Sequence, residues 1–209
     1  MPSRFRRRTT RRGQSTGFRS SKLPRSFYLR PTLKVAKDLL GKYLVRRIGS
    51  KSLVGKIVEV EAYLGELDPA SHAYRGMTKR NEVMFRTGGH LYVYFTYGMH
   101  FCCNVVTEQK GKGRAVLLRA VEPVGGLDLM EKNRRSEFSE LTNGPAKLCQ
   151  AFGIKRNQNG TDLLAGLIFL VRGERIPRSG IASGPRIGIK NGREKKWRFY
   201  IRGNAFVSG

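Results

Sequence analysis

The runs 91–97 and 100–106 are both rich in β-branched and aromatic residues, and only Gly98 and Met99 separate them. A glycine-centred connection that short marks a hairpin, so this part of the chain is antiparallel. The same pattern recurs upstream, where Tyr43–Ile48 and residues 53–63 flank a turn through Gly49, Ser50, Lys51 and Ser52. Further strands are predicted at 115–121, where Glu122 and Pro123 end the run, and at 167–171, 186–189 and 197–201. Thr32 is placed to cap a helix with apolar positions Leu33, Ala36, Leu39 and Leu40, and Gly41 to end it. Residues 127–134 and 145–152 read as two more helices. Between the strands at 53–63 and 91–97, residues 65–90 form a long irregular segment with Gly, Pro and charge and a short helix near 80–85. A loop of that length inside a compact domain is usually functional. No internal repeat is visible. The elements add up to an α+β fold: a single domain on a mainly antiparallel β-sheet with flanking helices. A length of 209 residues suits one domain with a real core.

Charge narrows the partner. The chain carries 41 Lys and Arg against 15 Asp and Glu, a formal net charge of +26. An excess that large implies an acidic partner, and the commonest is a polyphosphate backbone. A membrane surface is the rival, but it calls for a basic amphipathic helix with bulky apolar residues opposite, and none is visible. No run of 18 apolar residues is present to span a bilayer. Residues 1–26 hold many Arg and no acid, the first acid being Asp38. They read as a basic, disordered tail ahead of a folded domain at 27–209, although an organelle transit peptide has a similar composition.

The three cysteines, Cys102, Cys103 and Cys149, are odd in number and two are adjacent in a strand. This favours reduced thiols in an intracellular, reducing compartment. No pair has C-x-x-C spacing, and His72, His90 and His100 form no metal signature. The H-x-E and P-C-x-x-C elements of a zinc nucleobase deaminase are missing. No metal or cofactor is expected.

The chemistry-bearing residues begin in the run from Ile57 to Tyr63. Strand alternation puts Glu59 and Glu61 on one face and Val58 and Val60 on the other. Two readings are open. Both carboxylates pair with arginines, or one serves as a general base at a glycosidic bond whose cleavage passes through an oxocarbenium-like state. A spacing of two residues is too crowded for an acid–base pair across a sugar, so one would be catalytic and the other structural. Tyr63 shares the face of Glu61. Alternation also groups Tyr92, Tyr94 and Thr96 against Val93, Phe95 and Tyr97, so Tyr94 and Tyr97 point to opposite sides. These aromatics are either ordinary strand core, or flat walls for an extruded base with a tip side chain to fill the hole in the stack.

The runs GKIVEVEAYLGELDPASHAYRGMTKRN, LYVYFTYGMHFCCNVV, AVLLRAVEP, NGPAKLCQAFGI and WRFYIRGNAFVS resemble, in order, the alkyladenine (3-methyladenine) DNA glycosylase family, which is distinct from the helix-hairpin-helix type. The likeness covers roughly residues 33–208. It implies a curved antiparallel sheet with a β-hairpin that enters DNA, no metal or organic cofactor, and a monomer acting on double-stranded DNA. It implies hydrolysis of the N-glycosidic bond of flipped 3-methyladenine, 7-methylguanine, hypoxanthine or ethenoadenine. Residue by residue, Glu61 matches the base that activates water, Tyr63 and His72 match parts of the base pocket, and Tyr94 matches the opposing stacking wall. Tyr97 matches the side chain wedged into the minor groove. Asn104 matches a residue that crowds the exocyclic amino group of normal guanine. Arg119 and the backbone carbonyl of Ile201 match groups that help hold the water. No lysine is placed for a Schiff base, so base removal is expected without strand cleavage. The run from Arg86 to His90 departs from the family by lacking a proline, and Cys103, Val105 and Val106 vary a strand near Asn104, which bears on pocket width. A nonenzymatic RNA-binding or ribosome-associated protein is the competing reading. It accounts for the charge and leaves Glu61, Tyr63 and Tyr94 unexplained.

Overall fold

The computed structural model describes residues 21–208. Its strands are β1 (Tyr43–Ile48), β2 (Lys51–Leu64), β3 (Leu91–Thr96), β4 (His100–Thr107), β5 (Arg114–Gly125), β6 (Ile168–Val171), β7 (Ile181–Gly184) and β8 (Arg198–Ile201). They form one open, curled sheet in the order β3-β4-β5-β2-β1-β6, with β8 also on β2 and β7 outside β8. Every pairing is antiparallel, and short turns join β1 to β2, β3 to β4 and β4 to β5. The long strand β2 is the spine. One edge is taken by β5, and the other is shared by β1, which ends at the Tyr43↔Lys56 pair, and β8, which starts at Glu59↔Tyr200.

Four helices complete this α+β domain: α1 (Arg25–Tyr28), α2 (Thr32–Leu39), α3 (Leu127–Arg134) and α4 (Pro145–Ala151). Val35, Ala36 and Leu39 of α2, Met130 of α3, and Leu148 and Ala151 of α4 share one core with Val60, Ala62, Val105, Val116 and Leu118 of the sheet. Side chains alternate across a strand, so the neighbours of these residues, Glu61, Asn104, Leu117 and Arg119, project from the opposite face. One face carries the helices and the other is left for a site.

Several local expectations change. Thr32 is the first residue of α2 and not its cap. Pro31 holds the cap position, and the Thr32 hydroxyl donates to Glu108 at 2.6 Å, tying the helix to the connection after β4. Strand β5 continues through Pro123 because that residue sits where the register against β2 slips, a place that tolerates a missing N–H. The strand expected at 186–189 is absent. The strand is β7, and residues 185–192 form a loop whose polar groups are committed to Asp68 and Glu61 rather than to a ladder. The helix near 80–85 is a single 3₁₀ turn, Glu82–Phe85. The rest of the 65–90 segment is pinned by Asn81, whose amide donates to the carbonyls of His72 (2.7 Å) and Gly76 (3.0 Å).

Of the expected tail, residues 1–20 lie outside the described residues. Residues 22–25 are part of the fold: Lys22 bridges Val171, Leu23 is buried, and Arg25 pairs with Asp162 at 2.7 Å.

Candidate active site

The helix-free face of the sheet holds a cleft of about 390 Å³, lined among others by Tyr63, His72, Tyr94, Tyr97, Asn104, Arg119 and Ile187. That volume is in the range of small-ligand pockets. The strands supply the floor. The pinned segment after β2 brings His72, the β3–β4 hairpin brings Tyr97, and the 185–192 loop closes the third side.

Two β-bulges shape the floor. The β2–β5 register slips between Ile57 and Glu59 and again between Glu59 and Val60, leaving Val58 on β2 and Arg119 on β5 without partners. Bulges bend a strand and re-aim its side chains. Val58 therefore leaves the face of Val60 and packs with Ala120 and Phe206, which corrects the simple alternation expected for this run. Arg119 is set between both carboxylates, with Nε 3.0 Å from Glu59 and Nη1 3.1 Å from Glu61.

The two glutamates then part ways. Glu59 also accepts from Arg198 (3.0 Å) and from the Ser208 N–H (2.7 Å) and hydroxyl (2.9 Å), so four donors from three other segments tie it into the structure. Glu61 accepts the Ile187 N–H at 2.8 Å on Oε1, beside Arg119, and the Tyr63 hydroxyl at 2.8 Å on Oε2. A carboxylate offers about four acceptor positions, so Oε2 retains one. Glu61 is fully buried and does not itself line the cleft, whereas Tyr63, Arg119 and Ile187, which all contact it, do. Burial raises its carboxyl above the ordinary range, opposed by Arg119, the Ile187 N–H and the Tyr63 hydroxyl. A carboxylate held in this way can polarise one water against a reacting carbon.

The walls are aromatic. Tyr94 lies 5.5 Å from Tyr92 in a stacked arrangement and meets the His72 ring edge-on at 4.5 Å. His72 contacts the Tyr92 hydroxyl at 3.2 Å, and partial burial with the nearby Arg80 charge lowers its pKa, which favours the neutral ring. Asn104 is buried, lines the cleft, and leans on the Tyr92 carbonyl at 3.4 Å.

Tyr97 does not follow the strand alternation. Strand β3 ends at Thr96, Tyr97 has φ +51° in the turn, and it lines the same cleft as Tyr94 instead of pointing away from it. It is 78% exposed, the most exposed of the large apolar residues at the hairpin tip.

Two further placements complete the site. Ile201 is not among the residues that line the cleft; its side chain on β8 packs against the main core and the Val58 cluster, and the backbone N–H that donates to Glu61 is that of Ile187. Cys103 points into the core, and Cys102 is the thiol that lines the cleft, next to the Tyr94 hydroxyl.

Sequence reasoning also missed Arg186, which is buried and pairs with Asp68 at 2.5 Å. Counted with Glu59, Glu61, Arg119 and Arg198, it completes three carboxylates and three guanidinium groups beneath the cleft. Gly188, with φ +75°, together with Pro185 and the Asn191-Gly192 pair that bound the run, was the hint that it is a loop.

Among the described residues no group of three or more His, Cys, Asp or Glu is arranged to hold a metal ion, and no helix is long and apolar enough to cross a membrane.

Comparison with known proteins gives the family. The sequence pattern described as methylpurine-DNA glycosylase matches residues 26–205. A Carboxydothermus hydrogenoformans protein, provisionally named a 3-methyladenine DNA glycosylase, is 52% identical over 188 residues, covering 89% of this chain and 98% of its own. Proteins of the same provisional name from Chlorobium phaeovibrioides and Burkholderia orbicola are each 48% identical. Both alignments span 90% of this chain, with 96% and 91% of the respective relative.

Proposed function

This chain belongs to the methylpurine-DNA glycosylase family and is a DNA glycosylase of base excision repair, and on that premise we propose that it hydrolyses the N-glycosidic bond of a flipped, damaged purine with water activated by Glu61. The observation that carries this reading is the set of bonds around Glu61. Two hydrogen-bond donors and the Arg119 ion pair fix the carboxylate behind the cleft wall and leave one acceptor position on Oε2.

In this reading the extruded purine lies between Tyr63 and the pair His72 and Tyr94. Water gives a proton to Glu61 while its oxygen bonds to the anomeric carbon. The N-glycosidic electron pair leaves with the base, and the products are an abasic site and a free purine. The anionic carboxylate stabilises the oxocarbenium-like charge as the bond breaks. A cationic alkylated purine, such as 3-methyladenine or 7-methylguanine, departs neutral and needs no acid. Hypoxanthine and ethenoadenine, which are neutral, complete the proposed substrate range; each departs as an anion and takes a proton from solvent water to become the free base. Asn104 crowds the exocyclic amino group of normal guanine. Tyr97 enters the gap left in the stack. Arg119 and the Ile187 N–H brace the carboxylate that holds the water, and the backbone carbonyl of Ile201 helps to hold that water.

The enzyme acts as a monomer on double-stranded DNA. Its three free, buried cysteines support a reducing compartment.

The deciding test is a duplex oligonucleotide with one hypoxanthine or one ethenoadenine. Excision revealed by alkali, with no strand break before alkali, is the expected result. Tight RNA binding without excision would favour the nonenzymatic alternative.

A further inference from the structure

Arg186 takes no part in the reaction, yet it touches Tyr63 of the cleft wall and the residues packed behind it. Its guanidinium grips Asp68 at 2.5 and 2.8 Å and donates to the Ala62 carbonyl at 3.0 Å. It lies 4.7 Å from the centre of the Tyr63 ring and 5.2 Å from that of Trp197. The next residue in the chain, Ile187, gives its N–H to Glu61. Arg186 is buried and does not line the cleft, so it acts from behind the wall.

Stability alone is a poor reason for this arrangement. Neither side chain of the Arg186–Asp68 pair is exposed at all, and a buried ion pair can often be replaced by apolar residues without loss. What the pair provides is placement. A planar fork matches the carboxylate edge while its faces lie against two rings, which a lysine cannot reproduce. The backbone leaves room for it: a Cβ at Gly192 would come within 2.9 Å of Nη2.

We propose that Arg186 is a positioning residue that holds the Tyr63 ring and the Ile187 N–H where both can orient Glu61, so that the cleft wall and the base move as one body. The inference rests on the reading of Glu61 as the base. Tyr63 is anchored at its hydroxyl by Glu61 and at its ring by the guanidinium. Without the second anchor the ring can swing and the first bond lengthens. Misplacement by about 1 Å costs on the order of 100-fold in rate.

The test compares the unaltered chain with Arg186→Lys and Asp68→Asn on a duplex carrying one ethenoadenine. Single-turnover excision at saturating enzyme should fall roughly 10- to 100-fold in each variant, with lesion-duplex affinity little changed. The acid limb of the rate profile should move to higher pH, because the Tyr63 and Ile187 bonds both hold the Glu61 carboxyl down. A purely structural role would lower the melting temperature and leave that limb in place.

Trp197 is the chain's one tryptophan, so its emission reports on the stack without any mutation. In the unaltered chain, emission should change with lesion duplex and not with undamaged duplex, and Arg186→Lys should abolish the change. An unmoved acid limb with normal rates, or no lesion-specific Trp197 response in the unaltered chain, overturns the proposal. Failure of the unaltered chain to excise would instead overturn the reading of Glu61, and the Trp197 response would still decide whether Arg186 couples the wall to its surroundings.

Discussion

The Tyr63 hydroxyl donates to Oε2 of Glu61 across 2.8 Å, so the ring that walls the cleft also sets the angle of the carboxylate behind it. The two residues are separated by one position on β2, and strand geometry alone brings them to the same side. Tyr63→Phe keeps the wall and removes the donor. A hydrogen bond to a charged group is worth about 1.5–3 kcal/mol, so single-turnover excision should fall by at least roughly 10-fold while lesion-duplex affinity holds. Equal rates for both proteins would show that the hydroxyl does not orient the base.

Glu61→Gln should lose at least about three orders of magnitude in excision rate, the scale of a missing general base plus a missing carboxylate charge. Lesion binding should survive. Single-turnover kinetics beside an equilibrium binding measurement separate the two, and normal excision would remove Glu61 from the mechanism.

Activity and stability should respond to pH in opposite senses. The base must be ionised, and burial raises the Glu61 carboxyl above its ordinary value, so excision should fail on acidification at a higher pH than a free carboxylate would dictate. For stability, the folded state holds this proton more tightly than the unfolded state. The contribution of Glu61 is therefore fully present below the unfolded value and is lost as pH rises through the folded value. Chemical denaturation across that window, in the unaltered chain and in Glu61→Gln, should show this component vanish in the variant.

Glu59→Ala should act on folding before chemistry. It strands Arg119, Arg198 and Ser208, which all donate to Glu59. Removing one partner of a buried ion pair costs about 3–5 kcal/mol, readable as a lower denaturant midpoint. The residual folded protein should excise faster than Glu61→Gln.

Tyr97→Ala should weaken action on duplex substrates by roughly the 1–3 kcal/mol of an aromatic stacking interaction, and leave excision from single strands nearly unchanged. Equal losses on both substrates would argue against a wedge at the hairpin tip. Deleting residues 1–20, which carry seven arginines and no acid, should flatten the salt dependence of binding by about 0.9 for each phosphate that the tail neutralises. Single-turnover excision at saturation should persist. A deletion that extends through Arg25 should also destabilise the fold, because it removes buried Leu23 and the Arg25–Asp162 pair.

The hairpin and the β2 spine were legible in the sequence because their periodicity is regular and their connections short. The same periodicity misplaced Val58 and Tyr97. A bulge adds a residue and a left-handed turn residue reverses a direction, and neither leaves a mark in a pattern of apolar and polar positions. Glu59 and Glu61 were visible as a pair. That one is catalytic and the other structural followed from their spacing, and the resemblance assigned the base to Glu61. What holds Glu59 was not legible, since it depends on Ser208 and Arg198, which lie more than a hundred residues away in the chain. Ile187 and Arg186 were hidden for a different reason. They sit in a run rich in β-formers that reads as a strand, and the structure instead commits their polar groups to Glu61 and Asp68.

The three carboxylates and three guanidinium groups under the cleft cancel, although the chain as a whole carries +26. Capture and catalysis are thereby governed by separate electrical environments. The outer field, screened within about 10 Å at 0.1 M salt, decides how often DNA arrives and how long it stays. A buried, self-compensated interior is nearly deaf to the ions in the buffer. Added salt should thus thin the population of bound complexes without slowing bond breakage in those that remain.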